Sequence, residues 1–445
     1  MTAIRVYFSP VACPKANVDL EKAAWRLSSS GMEIVGSADG ADFVVVFCCG
    51  FIDDAKREAV DDILTYATLK QSGRIRGIVV AGCLPQKYGE ELAKELPEID
   101  LIVGNAGLDR LGAALEDLAR GATAGRVVGG GALGRGQVWT AGSRHPALDR
   151  PWSRVVMVCD GCDNACTYCA IPHMRGPLAS RRAKDILDET RVLVAQGAKE
   201  IVVAGQDTAS YGLDRGAEGL ADLMAEIAAK SGAHWVRLAY ANPENLNGRL
   251  GAVMARHPNV CHYVDMPVQH ASPRVLAAMG RRKPIEATRR LIDDLRRQVP
   301  DVALRTSVIV GFPGETEGDF RLLLDFLKGV GFDMAGAFVF SPQPGTPAAT
   351  LPGRVPTRVA EERLVEVTGL QDEIGRARAE ALVGRTLEVL VETRGSGEAR
   401  GRLQYDMADV DRTVSLSECK SEPGQFVLVR VDSCLGSDEL AATCV

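Results

Sequence analysis

The chain has 445 residues, 46% hydrophobic and 25% charged, with 52 Lys and Arg against 58 Asp and Glu for a formal net charge of −6. That length calls for two or three domains with sizeable cores, and the acidic balance excludes the basic footprint of a general nucleic-acid binder. The N-terminus MTAIRVYFSP has no apolar signal core and no apolar run approaches a spanning helix, so a cytoplasmic protein without membrane attachment is expected.

Residues 1–125 alternate strand and helix. Ile4–Phe8, Phe43–Phe47, Ile75–Ala81 and Ile99–Val103 read as strands, with Val18–Ser29, Asp53–Leu69 and Gln86–Leu96 as helices between them. Such alternation implies an α/β domain with a parallel sheet, and ligand sites in these sheets lie beyond the strand carboxyl ends. Cys13, Cys49 and Cys83 each follow a strand, so the topology brings them to one edge as a candidate cluster site. The alternative is three buried hydrophobic Cys. Residues 126–150 are Gly-rich and aperiodic, as expected of a linker. They contain Gly129-x-Gly131-x-x-Gly134, which is discounted as a dinucleotide fingerprint because no helix pattern or suitably spaced acidic residue follows.

Residues 151–378 offer six further strands, Arg154–Val158, Glu200–Ala204, Trp235–Ala239, Val260–Met266, Ala303–Val310 and Ala335–Phe340, with helices such as Ala183–Ala195, Leu220–Ala229 and Phe320–Lys328 between them. This pattern fits a partial (β/α)6 barrel with its site at the strand C-terminal ends. After the first strand, VCDGCDNACTYCAIP places Cys162, Cys166 and Cys169 at C-x3-C-x2-C spacing, and thiolates packed so closely point to a shared metal centre. Iron–sulfur clusters usually take four Cys, so three would leave one iron open to a group that is not protein. Cys159 allows a second reading, four ligands for a structural zinc or a closed cluster, although zinc ligand pairs are usually about a dozen residues apart.

The loop after the second strand, AGQDTASYG, holds Gly205, Gln206 and Asp207, the last also readable as a helix cap. After the fifth strand, VGFPGETEGDF places Gly311, Pro313 and Gly314 where backbone can approach a ligand, followed by Thr316-x-x-Asp319 as a capping-box-like helix start. Residues 379–445 turn to short β runs, Leu387–Glu392, Arg400–Tyr405, Val414–Leu416 and Phe426–Val431, which suggest a small β-barrel. Seven positive against eleven negative side chains in residues 382–445 suit a basic protein partner better than an RNA backbone. A solvated acidic face is the alternative.

The Cys162, Cys166 and Cys169 motif with CAIPHMRGPLASR (Cys169 to Arg181) resembles the radical S-adenosylmethionine superfamily and its methylthiotransferase branch. The resemblance runs through the three Cys loops of residues 1–125, the central barrel and the terminal barrel, which looks like the TRAM domain. It implies two 4Fe–4S clusters, one on Cys162, Cys166 and Cys169 and an auxiliary one on Cys13, Cys49 and Cys83. It further implies S-adenosylmethionine as methyl donor and radical source, chelated at the open iron, together with an external electron donor and a sulfur donor. By the same carry-over Gly205, Gln206 and Asp207 meet the cofactor's amino group, while Gly311, Pro313 and Gly314, with Tyr168, lie near its adenosine. No residue is assigned as acid, base or nucleophile, and Asp207 and Asp265 carry no catalytic role.

CAIP at 169–172, GQDTASYG at 205–212, MPVQHAS at 266–272 and GTPA at 345–348 resemble the branch that modifies an aspartate of small-subunit ribosomal protein twelve rather than a tRNA adenosine. His270 helps to classify the chain and is given no other task. The sequence departs from the family pattern at Ala16, at Phe47-Cys48, at Pro342-Gln343-Pro344 and at Asp406-Met407-Ala408-Asp409, and Cys48 is a rival to Cys49 as ligand. The alternatives are a paralogue acting on another protein or peptide, a tRNA-modifying enzyme, and a non-catalytic iron–sulfur or zinc protein that binds the ribosome.

Overall fold

Runs of Val, Ile and Phe form the centre of the N-terminal sheet, because β-branched and aromatic side chains suit strands covered on both faces. The computed structural model describes residues 3–11, 13–50, 53–121, 126–129, 133, 144–145, 150–216, 219–395 and 398–445. In chain order, β1 (Arg5–Phe8), α1 (Pro14–Ser29), β2 (Glu33–Val35), β3 (Phe43–Cys48), α2 (Asp53–Gln71), β4 (Gly77–Gly82), α3 (Cys83–Glu95), β5 (Leu101–Gly104), α4 (Leu111–Ala119) and β6 (Arg126–Val128) come first. Their strands make one parallel sheet of order β2-β1-β3-β4-β5-β6. β3 is buried at every position and alternates. Phe43, Val45 and Phe47 pack with Leu20 and Leu27 of α1 and Leu115 of α4, whereas Val44, Val46 and Cys48 pack with Ile63 of α2 and Leu84 and Leu92 of α3.

The three-residue edge strands β2 and β6 were not expected from the sequence, since so short a run shows no period. β6 lies inside the stretch expected as a linker; most of the rest of that stretch, including Gly131 and Gly134, falls outside the described residues, as do Ser396 and Gly397 between the expected β runs 387–392 and 400–405.

After β7 (Ser153–Met157) come β8 (Cys159–Asp160), α5 (Ile171–Arg175) and β9 (Ala179–Ser180). The chain divides into two compact units, Met1–Leu148 with Met157–Asn164 and Cys169–Arg181, and Asp149–Val156 with Ala165–Tyr168 and Arg182–Val445. In the first unit β8 and β9 form a short antiparallel ladder and α5 packs on α3.

The second unit continues with α6 (Ala183–Ala195), β10 (Glu200–Ala204), α7 (Leu220–Lys230), β11 (Trp235–Leu238), α8 (Arg249–Arg256), β12 (Val260–Asp265), α9 (Pro273–Ala278), α10 (Ile285–Gln298), β13 (Ala303–Val310), α11 (Glu317–Val330), β14 (Met334–Val339) and α12 (Thr357–Glu380). The strands form an open sheet of order β14-β13-β12-β11-β10-β7, parallel from β10 to β14. The open partial barrel expected from the alternation is therefore present. α11 starts on the anticipated capping box, Thr316 Oγ1 accepting from Asp319 N and Asp319 Oδ2 from Thr316 N.

A closed five-stranded barrel ends the chain, in the order β15 (Thr386–Arg394), β16 (Ala399–Leu403), β17 (Thr413–Ser417), β19 (Glu439–Cys444) and β18 (Phe426–Cys434). β19 escaped the sequence reading, and it joins the barrel by pairing parallel to β17 and antiparallel to β18. Barrel and sheet share one apolar core: Trp235, Cys261, Tyr263 and Ala303 pack with Leu403, Tyr405 and Met407. Among the described residues no helix is long and apolar enough to cross a membrane.

Candidate functional site

Cys13, Cys49 and Cys83 follow β1, β3 and β4, three adjacent strands, at the points where the chain turns into α1, α2 and α3. Cys13 is the N-cap of α1, followed by Pro14, and Cys83 opens α3. The loops fit closely, because a Cβ on Gly50 would lie 3.2 Å from the Cys83 carbonyl oxygen. Asn17 Nδ2 donates to Val11 O across 3.2 Å and fixes the first loop.

The neighbouring cysteines Cys48 and Cys49 differ in burial. Cys48 belongs to the α2 and α3 face of the apolar core, its Sγ contacts Val46 O, and burial pushes its thiol far above the ordinary range. Cys49, the next residue, is only half-buried.

Around Cys83 the structure assembles groups that no spacing rule indicated. Arg175 Nε donates to Cys83 Sγ over 3.2 Å, and Asn105 Nδ2 donates to the same sulfur at 3.5 Å and to Met174 O at 2.8 Å. Arg175 is held in turn by Asp19 at 2.7 Å and Asp160 at 3.4 Å, all three side chains being buried. Burial pushes the Cys83 thiol up, against which the charge of Arg175 and the Asn105 hydrogen bond pull it down. The one available sequence signal was an arginine between Met174 and Gly176, in a segment otherwise readable as a loop.

The second thiol set sits on the irregular chain between β8 and α5. Cys162, Cys166 and Cys169 are each half-buried, whereas Cys159 is buried in the β8 ladder opposite Ser180. Asn164 Nδ2 donates to Cys162 Sγ at 3.3 Å, and Cys162 N donates to Gly176 O at 3.1 Å. Gly161, at φ 68°, leaves no room for a side chain, since a Cβ would lie 2.2 Å from Pro177 O. Within the second unit, residues 165–168 are clamped from outside: Thr167 N donates to Met279 O and Thr167 Oγ1 to Ala278 O, while Ala348 N donates to Thr167 O. A Cβ on Gly280 would lie 2.4 Å from Ala165 O. All twelve cysteines stand outside disulfides, and among the described residues no three Cys, His, Asp or Glu are grouped as around a single ion. Three partly exposed thiols on a loop cradled by glycines, one receiving an N–H···S bond, are a donor set that fits an iron–sulfur cluster.

The residues expected at S-adenosylmethionine are placed as follows. Tyr168 packs with Val275, Met279 and Phe312, and its hydroxyl accepts from Arg281 Nη2 at 2.9 Å; Arg281 also binds Asn242. Arg281 was missed, having no spacing signature. Gly205 is buried and Gln206 half-buried beside Asp207. Asp207 is an organiser: its carboxylate accepts from Ala209 N at 3.1 Å, Asn242 N at 3.0 Å, Ser210 Oγ at 2.6 Å and Asn245 Nδ2 at 2.7 Å. The capping role left open for it is thus realised, and it ties the loop after β10 to that after β11.

Gly311 has a packing reason: at φ 73°, a Cβ would lie 2.5 Å from Ala360 Cβ of α12. Pro313 is buried, and Gly314 N donates to Gly353 O at 2.7 Å. Glu315 braces this loop, accepting from Phe312 N at 3.1 Å and pairing with buried Arg363 at 2.8 Å. His270 lies behind it, with Nδ1 accepting from Ser272 N at 2.9 Å and Nε2 3.8 Å from Glu315.

The acidic surplus of the terminal barrel is partly internal. Asp406 is buried against Arg412, and Asp411 is buried against Arg305 and the Tyr263 hydroxyl. Only part of the charge read from the sequence is therefore offered to a partner.

Family models match three stretches: the radical SAM superfamily at residues 156–327, uncharacterized protein family UPF0004 at 5–104 and the TRAM domain at 383–445. The ribosomal protein uS12 methylthiotransferase RimO of Desulforudis audaxviator is 40% identical over 431 residues, 96% of this chain and 94% of its own length. The protein of that name from Geobacter sulfurreducens is 39% identical over 433 residues, 96% of each chain. A solved structure of the radical S-adenosylmethionine methyltransferase TsrM from Kitasatospora setae, with cobalamin and a 4Fe–4S cluster bound, aligns with a TM-score of 0.58 at 16% identity, over 78% of this chain and 77% of its own, which is a likeness of fold. Membership of the radical SAM superfamily implies a 4Fe–4S cluster and S-adenosylmethionine. With near full-length identity of about 40% to such relatives, the chain belongs to the ribosomal protein uS12 methylthiotransferase family of radical SAM enzymes.

Proposed function

We propose that this chain inserts a methylthio group at the β-carbon of an aspartate of ribosomal protein uS12, working in the cytoplasm with two 4Fe–4S clusters. The observation that carries the reading is the pair of separate three-cysteine sets, Cys162, Cys166 and Cys169 on one loop and Cys13, Cys49 and Cys83 beyond three adjacent strands, in a chain whose relatives bear that name. Two sets of three match a division of labour between an S-adenosylmethionine site and a sulfur-carrying site. When bound, the clusters and S-adenosylmethionine supply the one-electron and methyl-transfer chemistry needed to replace an unactivated C–H bond by C–S.

The protein's own contribution is positioning. The clamp of Met279, Ala278 and Ala348 on Thr167 fixes the segment carrying Cys166 and Tyr168. Asp207 orders the loops after β10 and β11, and Glu315 with Arg363 orders 311–315. No proton has to move between side chains for a hydrogen-atom abstraction; Asp207 ties its loops, and Asp265 accepts from Tyr240 N at 3.1 Å and pairs with Arg305 at 3.2 Å. The sulfur donor and the reductant are external partners.

The departure at 406–409 is partly internal: Asp406 and Met407 are buried, whereas Asp409 is exposed and paired with Arg150. Asp406 and Met407 are therefore not offered to a substrate. The test is mass spectrometry of uS12 peptides and of digested tRNA from cells with and without this gene. A methylthio group on the uS12 aspartate that depends on the gene is expected. An unchanged uS12 together with a gain on another peptide, or on a tRNA adenosine, would overturn the substrate.

A further inference from the structure

Residues 174–176 touch both cysteine sets inside the first unit. Met174 O accepts from Asn105 Nδ2 at 2.8 Å, Arg175 Nε donates to Cys83 Sγ at 3.2 Å, and Gly176 O accepts from Cys162 N at 3.1 Å. Arg175 has a side chain only 3% exposed, so its donor is not screened by water, and its place is fixed by Asp19 and Asp160. We propose that Arg175 is a positioning residue that raises the reduction potential of the cluster on Cys13, Cys49 and Cys83.

This rests on the reading that those three cysteines hold a cluster. The physics is general: reduction adds negative charge to an iron–sulfur core, and N–H donors to its sulfurs stabilise the reduced form more than the oxidised one. Asp19 and Asp160 offset much of the guanidinium's net charge, so the directed N–H···S bond is the larger part of the effect. Asn105 supplies a second, longer donor to the same sulfur and, through Met174 O, ties β5's end to α5. A single dipeptide, Arg175-Gly176, thereby makes a ligand of one set and the backbone of the other respond to the same helix.

The test uses the full-length chain with Cys162→Ala, Cys166→Ala and Cys169→Ala, reconstituted anaerobically so that it holds the auxiliary cluster alone. An EPR-monitored redox titration should show a lower midpoint in Arg175→Gln, partly recovered in Arg175→Lys. An unchanged midpoint at full iron content overturns the proposal. Because Arg175→Gln leaves two buried carboxylates unpaired and can fail to fold, a second measurement keeps native Arg175: pulsed EPR of the reduced cluster in protein labelled with 15N-arginine. A 15N coupling absent from unlabelled protein is expected, and its absence overturns the proposal while the retained iron leaves the cluster reading intact. Loss of all iron from the triple variant would overturn that reading, and this proposal with it.

Discussion

Arg402 Nη1 on β16 donates to Glu200 Oε1 on β10 over 2.8 Å, a fully buried contact between residues 202 positions apart. Arg237 Nε reaches the same carboxylate at 2.7 Å and donates onward to Gln404 O at 2.8 Å. The terminal barrel is therefore joined to the sheet through charge as well as through shared apolar packing.

Glu200→Gln removes the one carboxylate between two buried guanidiniums, which costs about 3–5 kcal/mol when a buried pair is broken. Burial alone would raise the Glu200 pKa, but Arg402 and Arg237 outweigh it and hold it at about 2 instead of 4.5. The stabilisation is therefore complete above pH 4.5 and lost as the pH falls toward 2. Urea unfolding of the variant should show both the loss at pH 7 and a flatter acid limb; equal stability at pH 7 would refute the role.

Cys48→Ala should leave iron content after reconstitution unchanged, at a stability cost on the order of 1 kcal/mol for a small core truncation. Cys49→Ala should lose about four iron atoms per chain, one cluster's worth. Iron analysis of the two variants side by side decides it, and the reverse pattern would make Cys48 the ligand.

Gly280→Ala places a methyl carbon where only 2.4 Å separates it from Ala165 O, at a φ of 76° that disfavours any side chain. The segment carrying Cys166 and Tyr168 must shift. Reductive cleavage of S-adenosylmethionine to 5′-deoxyadenosine, assayed without any peptide substrate, should fall at least about tenfold, the effect of a displacement near 1 Å at a reacting site. Wild-type cleavage would mean that the loop absorbs the methyl.

His270 is fully buried, and burial lowers its pKa to about 4 from 6.5, with Asp319 acting against this and Arg363 and Arg274 adding to it. The folded protein keeps the ring neutral while the unfolded chain protonates below 6.5, so stability is lost as the pH falls from 6.5 toward 4. The full span amounts to about 3 kcal/mol. His270→Asn should remove that slope from urea midpoints measured at pH 7, 6 and 5.

Some of these relationships are legible in the sequence. The strict alternation of FVVVFC already puts Cys48 on the face of Val44 and Val46, and so into a core once both sheet faces are covered. Gly311 shows the opposite case: its glycine suggested a ligand, and the atom that excludes a side chain belongs to α12, 49 residues on, a helix the sequence reading did not single out.

The sequence by itself determined the α/β class and the six central strands, because strand periodicity acts between residues close along the chain. Tertiary structure alone decided the pairing of β19, the burial of Asp406 and Asp411, and the meeting of Arg175 with Cys83 across 92 positions. Those outcomes depend on which polar groups lose water together when distant segments pack, and no local pattern encodes which partner a buried charge will find.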